Sequence, residues 1–213
     1  MITVYGFSKV PPPVKGITRD LRVLWALEEM GLPYKIHPLD AIKGDHRGAA
    51  YTEANLFNIV PAIDDDGFKL FETGAILEYL AEKSGKLSAK DAKGKAIVQQ
   101  WSFAALNTVE PALLEIFAID RFFGDAAWAK ERRPMRVDNA NTRLNVVEKH
   151  VASRPYLAGS DFTIADILMS TVLRFVQHTD ILTKLPNVAA YKARCEKRAA
   201  WEKVIGEHEK RAA

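Results

Sequence analysis

The sequence changes its pattern near residue 85, and this change most limits the folds that are open to the chain. Before it, strand-like and helical segments follow one another in the order β-α-β-α-β-β-α, and after it every segment repeats its apolar residues at helical spacing. A crossover helix favours parallel pairing of the first two strands, and the turn DDDG favours an antiparallel hairpin between the last two. The sequence therefore predicts a mixed four-strand α/β domain followed by an all-helical bundle.

The predicted elements divide the chain into three parts. In the α/β part we expect strands at 2–7, 33–40, 61–64 and 68–71, and helices at 18–31, 45–57 and 72–84. The helical part is predicted to hold helices at 89–123, 126–152, 163–177, 187–198 and 201–210, the first of them kinked by Pro111 near Asn107. The predicted domains are therefore 1–84 and 95–213, joined by a linker at 85–94.

Composition narrows the class of function. The 30 basic and 27 acidic residues give a formal charge of +3, and the basic residues are scattered, which argues against a nucleic-acid surface. No run of apolar residues is long enough to predict a membrane span, and no signal peptide is expected. Cys195 is the single cysteine, so neither a disulfide framework nor a CxxC pair is available. We therefore expect a cytoplasmic protein with no nucleic-acid or membrane partner.

Three short motifs have informative positions. In the first, Val60–Pro61, a proline stands where a strand should begin, and in the second, the pair Glu72–Thr73 opens a helix. The third is DFTIADI, in which Thr163 is a predicted N-cap and Asp166, three residues later, can reach back to it. This capping box predicts a structural role for Asp166 rather than a catalytic one.

With these motifs and this order of domains, the chain resembles a cytosolic glutathione transferase over essentially its full length. It is similar to bacterial members of the hydroxyl type, with a serine or threonine at the active site and a theta/delta/zeta-like N-terminal motif. The resemblance implies a thioredoxin-like first domain and conjugation of the glutathione thiolate to a hydrophobic electrophile, with no metal. It also implies a homodimer in which the first domain of each subunit faces the second domain of the other.

The resemblance assigns glutathione binding to Val60, Pro61, Glu72 and Thr73. A cis Val60–Pro61 bond would turn the backbone of Val60 outward to pair with the cysteinyl part of glutathione. Thr73, at a helix start, would bind the γ-glutamyl carboxylate, and Glu72 would accept from the ammonium. Ile59 stands where many members have a polar residue, so the glycyl carboxylate is left to one of four cationic candidates: Arg19, Lys43, His46 and Arg47.

The sulfur of glutathione needs a hydroxyl donor, and three residues are candidates. Thr18 lies four residues before Arg22, where several classes of the family place a serine, and it also suits the N-cap of the first helix. The loop Pro11–Gly16 departs from the family pattern, so Ser8 is an alternative. Tyr5 ranks third, because it better suits packing on the sheet. The sequence leaves the choice between Thr18 and Ser8 open.

The electrophile would enter a cleft between the domains, lined by the kinked helix. The candidate walls are Trp101, Phe103, Asn107 and Phe117, although residues at this spacing also suit a core. Two other functions stay open: a glutathione-dependent peroxidase or isomerase, and a non-catalytic glutathione-binding or interaction protein. The retained Glu72, Thr73 and candidate hydroxyl favour the transferase. The lack of a cysteine near the first helix argues against the thiol-transferase branch of the family.

Overall fold

The computed structural model describes residues 1–211, and it divides the chain into two compact units. The first unit joins Met1–Leu87 to the C-terminal segment that begins at Arg198, and the second spans Ser88–Lys197. The last helix, predicted as part of the helical domain, groups with the α/β unit in the structure. The first unit is therefore discontinuous in sequence.

A four-stranded sheet forms the centre of the first unit. Its strands are β1 Ile2–Lys9, β2 Tyr34–Asp40, β3 Ala62–Asp65 and β4 Phe68–Phe71, in the spatial order β2-β1-β3-β4. Strand β1 runs parallel to β2 and antiparallel to β3, which pairs antiparallel with β4. The predicted mixed sheet and hairpin are confirmed. The hairpin turn places Asp66 at φ 52° and Gly67 at φ 96°, the positive φ pair that a tight two-residue turn requires.

The helices alternate with the strands and then fill the second unit. In chain order they are α1 Asp20–Met30, α2 Ala49–Thr52, α3 Thr73–Ser84, α4 Ala92–Phe103, α5 Glu110–Phe122, α6 Ala127–Val151, α7 Ile164–Leu173, α8 Pro186–Glu196 and α9 Ala199–Arg211. Short 3-10 turns occur at Pro12–Val14, Asp45–Arg47, Arg174–Val176 and Leu182–Lys184. Helix α1 carries Val23, Trp25, Ala26 and Leu27 with no exposed surface, so it belongs to the core of the unit.

Two sequence predictions about the first unit are wrong. The predicted helix at 45–57 shrinks to α2. Gly48 is extended just before α2, with φ −75° and ψ 151°, and after α2 the Asn55 side chain accepts the Phe57 N–H at 2.9 Å, which competes with a helical turn. The predicted end of β1 at residue 7 is also early, since the strand continues to Lys9 with an irregularity between Phe7 and Lys9. Ser8, expected in a loop, is therefore the irregular residue of the strand.

The second unit is built around α7, in which every residue is buried. The predicted capping box is present, with Thr163 as N-cap and Asp166 at the third helical position. The predicted kink takes the form of a π-helical turn, Ala104–Val109, between α4 and α5. It follows from Pro111, which has no N–H for the carbonyl of Asn107. The stretch Ala92–Phe122 matches a membrane span by length and composition alone, yet half of its most apolar window is buried within the fold.

Candidate active site

Antiparallel pairing brings two of the predicted motifs to one end of the sheet. Ala62, the first residue of β3, pairs with Tyr5 in the middle of β1 and with Phe71 at the end of β4. The motif Val60–Pro61 immediately precedes Ala62, and Glu72–Thr73 immediately follows Phe71. The two motifs therefore lie beside each other, although ten residues lie between Pro61 and Glu72 in the sequence.

The loop before Val60 is held by side chains of its own segment. The Val60–Pro61 bond is cis, and Val60 is buried. The preceding carbonyl, that of Ile59, accepts hydrogen bonds from the Tyr51 hydroxyl at 2.8 Å and from the Asn55 amide. Since Ala62 is the first residue paired in β3, the peptide of Val60 lies outside the ladder. The Ile59 carbonyl is thus engaged, and the Val60 backbone stands beyond the last sheet pair.

Glu72 and Thr73 form the start of α3 in an unusual backbone conformation. Glu72 is the N-cap residue, with φ 72° and ψ 117°, and its side chain is exposed. Thr73 is buried, and its hydroxyl accepts a hydrogen bond from Arg22 Nη1 at 3.4 Å. Arg22 on α1 is itself buried, so this contact links the start of α3 to α1. The link between Arg22 and Thr73 was not predicted from the sequence, in which Arg22 served only to locate Thr18.

Thr18 lies in the turn before α1, and its predicted role as N-cap is wrong. The helix begins at Asp20, its N-cap residue is Arg19, and no side chain caps it. The Thr18 carbonyl accepts the Leu21 N–H at 3.3 Å, so the backbone forms this turn without the hydroxyl. Thr18 Oγ1 is consequently buried with no hydrogen-bond partner among the described residues.

The other two candidate donors have different surroundings. Ser8 is half-buried within β1, at the irregular position of the ladder. The Tyr5 ring packs against Tyr51 at 5.6 Å and against His37 at 5.0 Å between centroids, and it borders the cluster formed by Leu39, Tyr51, Ala54, Val60 and Ala62. Tyr5 therefore serves packing on the sheet.

Unpaired polar atoms gather around Phe7, near the end of β1. Within residues 1–211, five buried side-chain polar atoms lack a hydrogen-bond partner: Thr18 Oγ1, Asp20 Oδ1, His46 Nδ1, His208 Nδ1 and Arg211 Nη2. Three of their residues contact Phe7. Asp20 accepts its N–H at 3.0 Å, Arg211 donates to its carbonyl at 3.1 Å, and His46 packs on its ring at 5.6 Å. Such atoms are uncommon in folded proteins, and a cluster of them indicates a place where a ligand or ordered water completes the bonding.

His46 is the member of the four cationic candidates that reaches β1. Burial, and next the charge of Arg47, lower the pKa of His46 below that of a free imidazole. Of the other candidates, Lys43 and Arg47 are exposed, and Arg19 is the N-cap residue of α1. Among the described residues no group of three or more His, Cys, Asp and Glu side chains could hold a metal ion.

The four electrophile candidates of the second unit differ in exposure. Phe117 is buried among Phe122, Phe175 and His178, and Trp101 stacks on His150 at 4.2 Å. Phe103 is 57% exposed. Asn107 lies in the π-helical turn and lines a cavity of about 360 Å³ together with Thr108, Pro111, Ala112, Glu115, Asn139 and Arg143. Phe103 and Asn107 are thus exposed, Trp101 is half-buried and Phe117 is buried.

The thioredoxin-like sheet, the cis proline before β3 and the helical second unit define a class of protein, and comparison with known families agrees. The model of the glutathione S-transferase N-terminal domain matches residues 14–82, and that of the C-terminal domain matches residues 111–199. The glutathione S-transferase-like protein OpS6 of Beauveria bassiana is 31% identical over 214 residues, covering 95% of this chain and 94% of that protein. The chain belongs to the glutathione S-transferase family.

Plant and bacterial proteins are also similar. A glutathione S-transferase of Hyoscyamus muticus is 29% identical over 199 residues, covering 87% of this chain and 92% of its own length. The crystal structure of a glutathione transferase family member from Pseudomonas fluorescens, with two glutathione molecules bound, superposes with a TM-score of 0.84 at 27% identity. That match covers 96% of this chain and 92% of the other.

Proposed function

We infer that this chain is a glutathione transferase that binds glutathione at the sheet end where β1, β3 and α3 meet. Its family membership, and the glutathione bound to the similar bacterial protein, support this activity. In our proposal the Val60 backbone pairs with the cysteinyl part, while Glu72 and Thr73 bind the γ-glutamyl end. We assign the glycyl carboxylate to His46, and the contact of its ring with Phe7 of β1 supports this assignment.

We assign activation of the thiol to Thr18. A free thiol has a pKa of about 8.5, and each unit of depression corresponds to about 1.4 kcal/mol of thiolate stabilisation. A hydroxyl that donates to the sulfur stabilises the thiolate without ionising itself. The observation that carries this assignment is the buried and unpartnered Thr18 Oγ1, whose proton has no other acceptor among the described residues. The thiolate then attacks a hydrophobic electrophile, for which Phe103 and Asn107 are exposed candidates.

Replacing Thr18 by valine tests this assignment. Thr18→Val keeps the side-chain shape and removes the donor, so the pKa of bound glutathione should rise toward the free value. Conjugation at neutral pH should slow by about tenfold, which corresponds to about 1.4 kcal/mol. The loss should shrink as the pH rises, because solvent then deprotonates the thiol unaided. A pH–rate profile measures this change, and calorimetry should give an almost unchanged glutathione affinity.

Ser8→Ala is the matched control, and its profile should stay close to that of the unsubstituted protein. A displaced thiol pKa in Ser8→Ala, with an unchanged one in Thr18→Val, would transfer the role to Ser8. Retention on immobilised glutathione, followed by conjugation, peroxide-reduction and isomerisation assays, distinguishes the transferase from the alternative reactions. A chain that binds glutathione but turns over no substrate would be a binding protein.

Several finer properties belong to the same proposal. We propose a hydroxyl-type, bacterial-like enzyme that works as a homodimer in the cytoplasm without a metal. The domain division of 1–84, a linker at 85–94 and 95–213 is also retained as a proposal for how the polypeptide is organised.

A further inference from the structure

The loop that carries Thr18 is rich in proline, which limits its backbone hydrogen bonds. It runs from the end of β1 to Asp20, and three consecutive prolines, Pro11–Pro13, give it no backbone donors there. Its local backbone bonds include those from the N–H of Val14 to the carbonyl of Pro11 at 3.1 Å, from Lys15 to Pro12 at 3.2 Å and from Ile17 to Val14 at 3.2 Å. At the exit of the loop, a contact from another element adds to these local bonds.

His208 on α9 supplies such a contact. The Gly16 N–H donates to His208 Nε2 at 3.2 Å, in a buried bond between residues 192 positions apart. Gly16 has φ 78°, a conformation that favours glycine. His208 has no exposed surface. Thr18 follows two residues after Gly16, so the position of its hydroxyl depends on this attachment.

Helix α9 is anchored by contacts that do not involve His208. Trp201 packs on Trp25 of α1 with ring centroids 4.7 Å apart. Arg198 makes a two-point ion pair with Glu29, both distances 2.6 Å. At the other end of α9, Arg211 donates to the Phe7 carbonyl at 3.1 Å. Removing the His208 imidazole should thus release the loop while α9 stays on α1.

We propose that His208 is a positioning residue for the thiol-activating hydroxyl: by accepting the Gly16 N–H it fixes the loop exit and, through it, Thr18. This inference rests on the proposed role of Thr18. It requires the neutral imidazole with its proton on Nδ1, because a protonated ring would present a donor to the Gly16 N–H. We call this Gly16–His208 hydrogen bond the tether, and we expect it to break when His208 takes up a proton.

The surroundings of His208 favour the neutral ring near neutral pH. The charged groups that face it are Asp20 on α1, Lys15 on the loop, and Glu209 and Arg211 on α9. Burial is the largest influence, and it lowers the pKa of His208. The positive charges of Arg211 and Lys15 also lower this pKa, whereas the negative charges of Asp20 and Glu209 raise it. The neutral ring agrees with the geometry, in which Nε2 accepts the Gly16 N–H.

Two substitutions at position 208 separate the tether from packing. His208→Leu removes the acceptor and should raise the pKa of bound glutathione. It should lower kcat at neutral pH by about fivefold, the effect of one lost hydrogen bond of about 1 kcal/mol, with little change in KM for glutathione. His208→Gln offers a carbonyl oxygen near the place of Nε2 and should recover most of the thiol pKa and of kcat. Lys203→Gln, which removes only the exposed ion pair of α9 with Glu28, is the control and should change neither.

These variants distinguish failure of the positioning role of His208 from failure of the proposed function. If Thr18→Val raises the thiol pKa and a folded His208→Leu does not, the positioning role is overturned while the function stands. If glutamine is no better than leucine in folded variants, His208 acts by packing and the inference is also overturned. If Thr18→Val has no effect, the role of Thr18 fails and the positioning role of His208 is overturned with it, whereas conjugation activity that persists leaves the proposed transferase function standing.

Hydrogen exchange of the Gly16 amide measures the Gly16–His208 bond directly, and it tests the inference even if His208→Leu does not fold. In the unsubstituted protein, protection of the Gly16 amide should fall in step with protonation of His208, followed by NMR as the pH is lowered. Protection that persists after His208 is protonated would overturn the inference.

Discussion

Glu72 occupies a backbone region that non-glycine residues seldom adopt. Its φ of 72° and ψ of 117° place it directly between the last residue of β4 and the first residue of α3. Such a conformation costs about 1–3 kcal/mol, and it persists where the neighbouring elements determine it. The exposed carboxylate is thereby held beside the N–H groups of a helix start. This arrangement offers both an acceptor and donors to a ligand group that carries an ammonium and a carboxylate.

Glutathione affinity should therefore depend on both residues of the pair. Glu72→Gln removes a charge-assisted acceptor, worth about 1.5–3 kcal/mol, so binding should weaken by about tenfold or more. Thr73→Ala should weaken it less, and it also removes the acceptor for Arg22 Nη1. Isothermal calorimetry with glutathione measures both effects. Unsubstituted affinity in both variants would place the γ-glutamyl site elsewhere.

The buried His208 should also make the free energy of unfolding depend on pH. Burial lowers the pKa of His208, so the folded state favours the neutral ring. The stabilisation is then complete above the unfolded pKa of about 6.5 and is lost as the pH falls below it toward the folded pKa. Denaturant unfolding across this range should show a decline in the free energy of unfolding. His208→Gln should make that decline shallower, and an identical decline in the variant would contradict the assignment.

At the scale of elements, the start of α7 is held by one carboxylate. Asp166 has no exposed surface and accepts four hydrogen bonds, from the N–H of Leu157 at 2.9 Å, the N–H and hydroxyl of Thr163 at 2.9 and 3.0 Å, and the Tyr191 hydroxyl at 2.9 Å. The last of these comes from α8, and Leu157 lies in the connection before α7. Asp166 thus joins three segments of the second unit, whereas a capping box alone involves one.

Asp166→Ala should accordingly damage folding more than loss of a cap would. The substitution leaves several buried donors unpaired, so we expect a loss of about 3 kcal/mol or more in the free energy of unfolding. Tyr191→Phe removes one of the four bonds and should cost about 1 kcal/mol. Thermal and denaturant unfolding measure both losses. Turnover per folded molecule should stay near normal, and a stable Asp166→Ala variant that selectively lost activity would contradict a structural role.

Elements with local signals were predictable, and those with distant partners were not. The hairpin turn, the capping box and the position of the kink each follow from residues within one or two turns of chain. The helix expected at 45–57 is not continuous, because Gly48 is extended and the Asn55 side chain bonds the N–H of Phe57. Helical spacing of apolar residues does not reveal either feature. Within the candidate site, Val60 and Glu72 could be named from the resemblance. His208 could not, because its partner Gly16 lies 192 residues away.

At the scale of the whole molecule, the loop before β3 exposes a patch of large apolar side chains. Leu56, Phe57 and Ile59 are 73%, 67% and 55% exposed, and the Phe57 ring contacts that of Phe71. Contiguous apolar surface of this kind is typical of protein interfaces. It supports the expectation of a symmetric homodimer, the commonest closed assembly of identical chains.

We expect light scattering to report a dimer at micromolar concentration and Phe57→Asp to shift the protein toward the monomer. The physical reason is that burying an unpaired carboxylate in an interface is strongly unfavourable. Phe68→Asp, on the opposite end of the sheet hairpin and also exposed, is the matched control and should leave the assembly unchanged. A monomer in the unsubstituted protein would remove the expectation altogether.

The packing of α9 on α1 has a consequence for biosynthesis. A ribosome completes Met1–Leu87 early, but it makes α9 only after residues 88–197 have been polymerised. Until then Trp25 lacks Trp201, Glu29 lacks Arg198, and the loop before Thr18 lacks its distant attachment. A nascent or truncated chain should therefore expose an incomplete α/β unit to chaperones and proteases. A peptide that spans α9, added in trans, should restore protection to such a fragment.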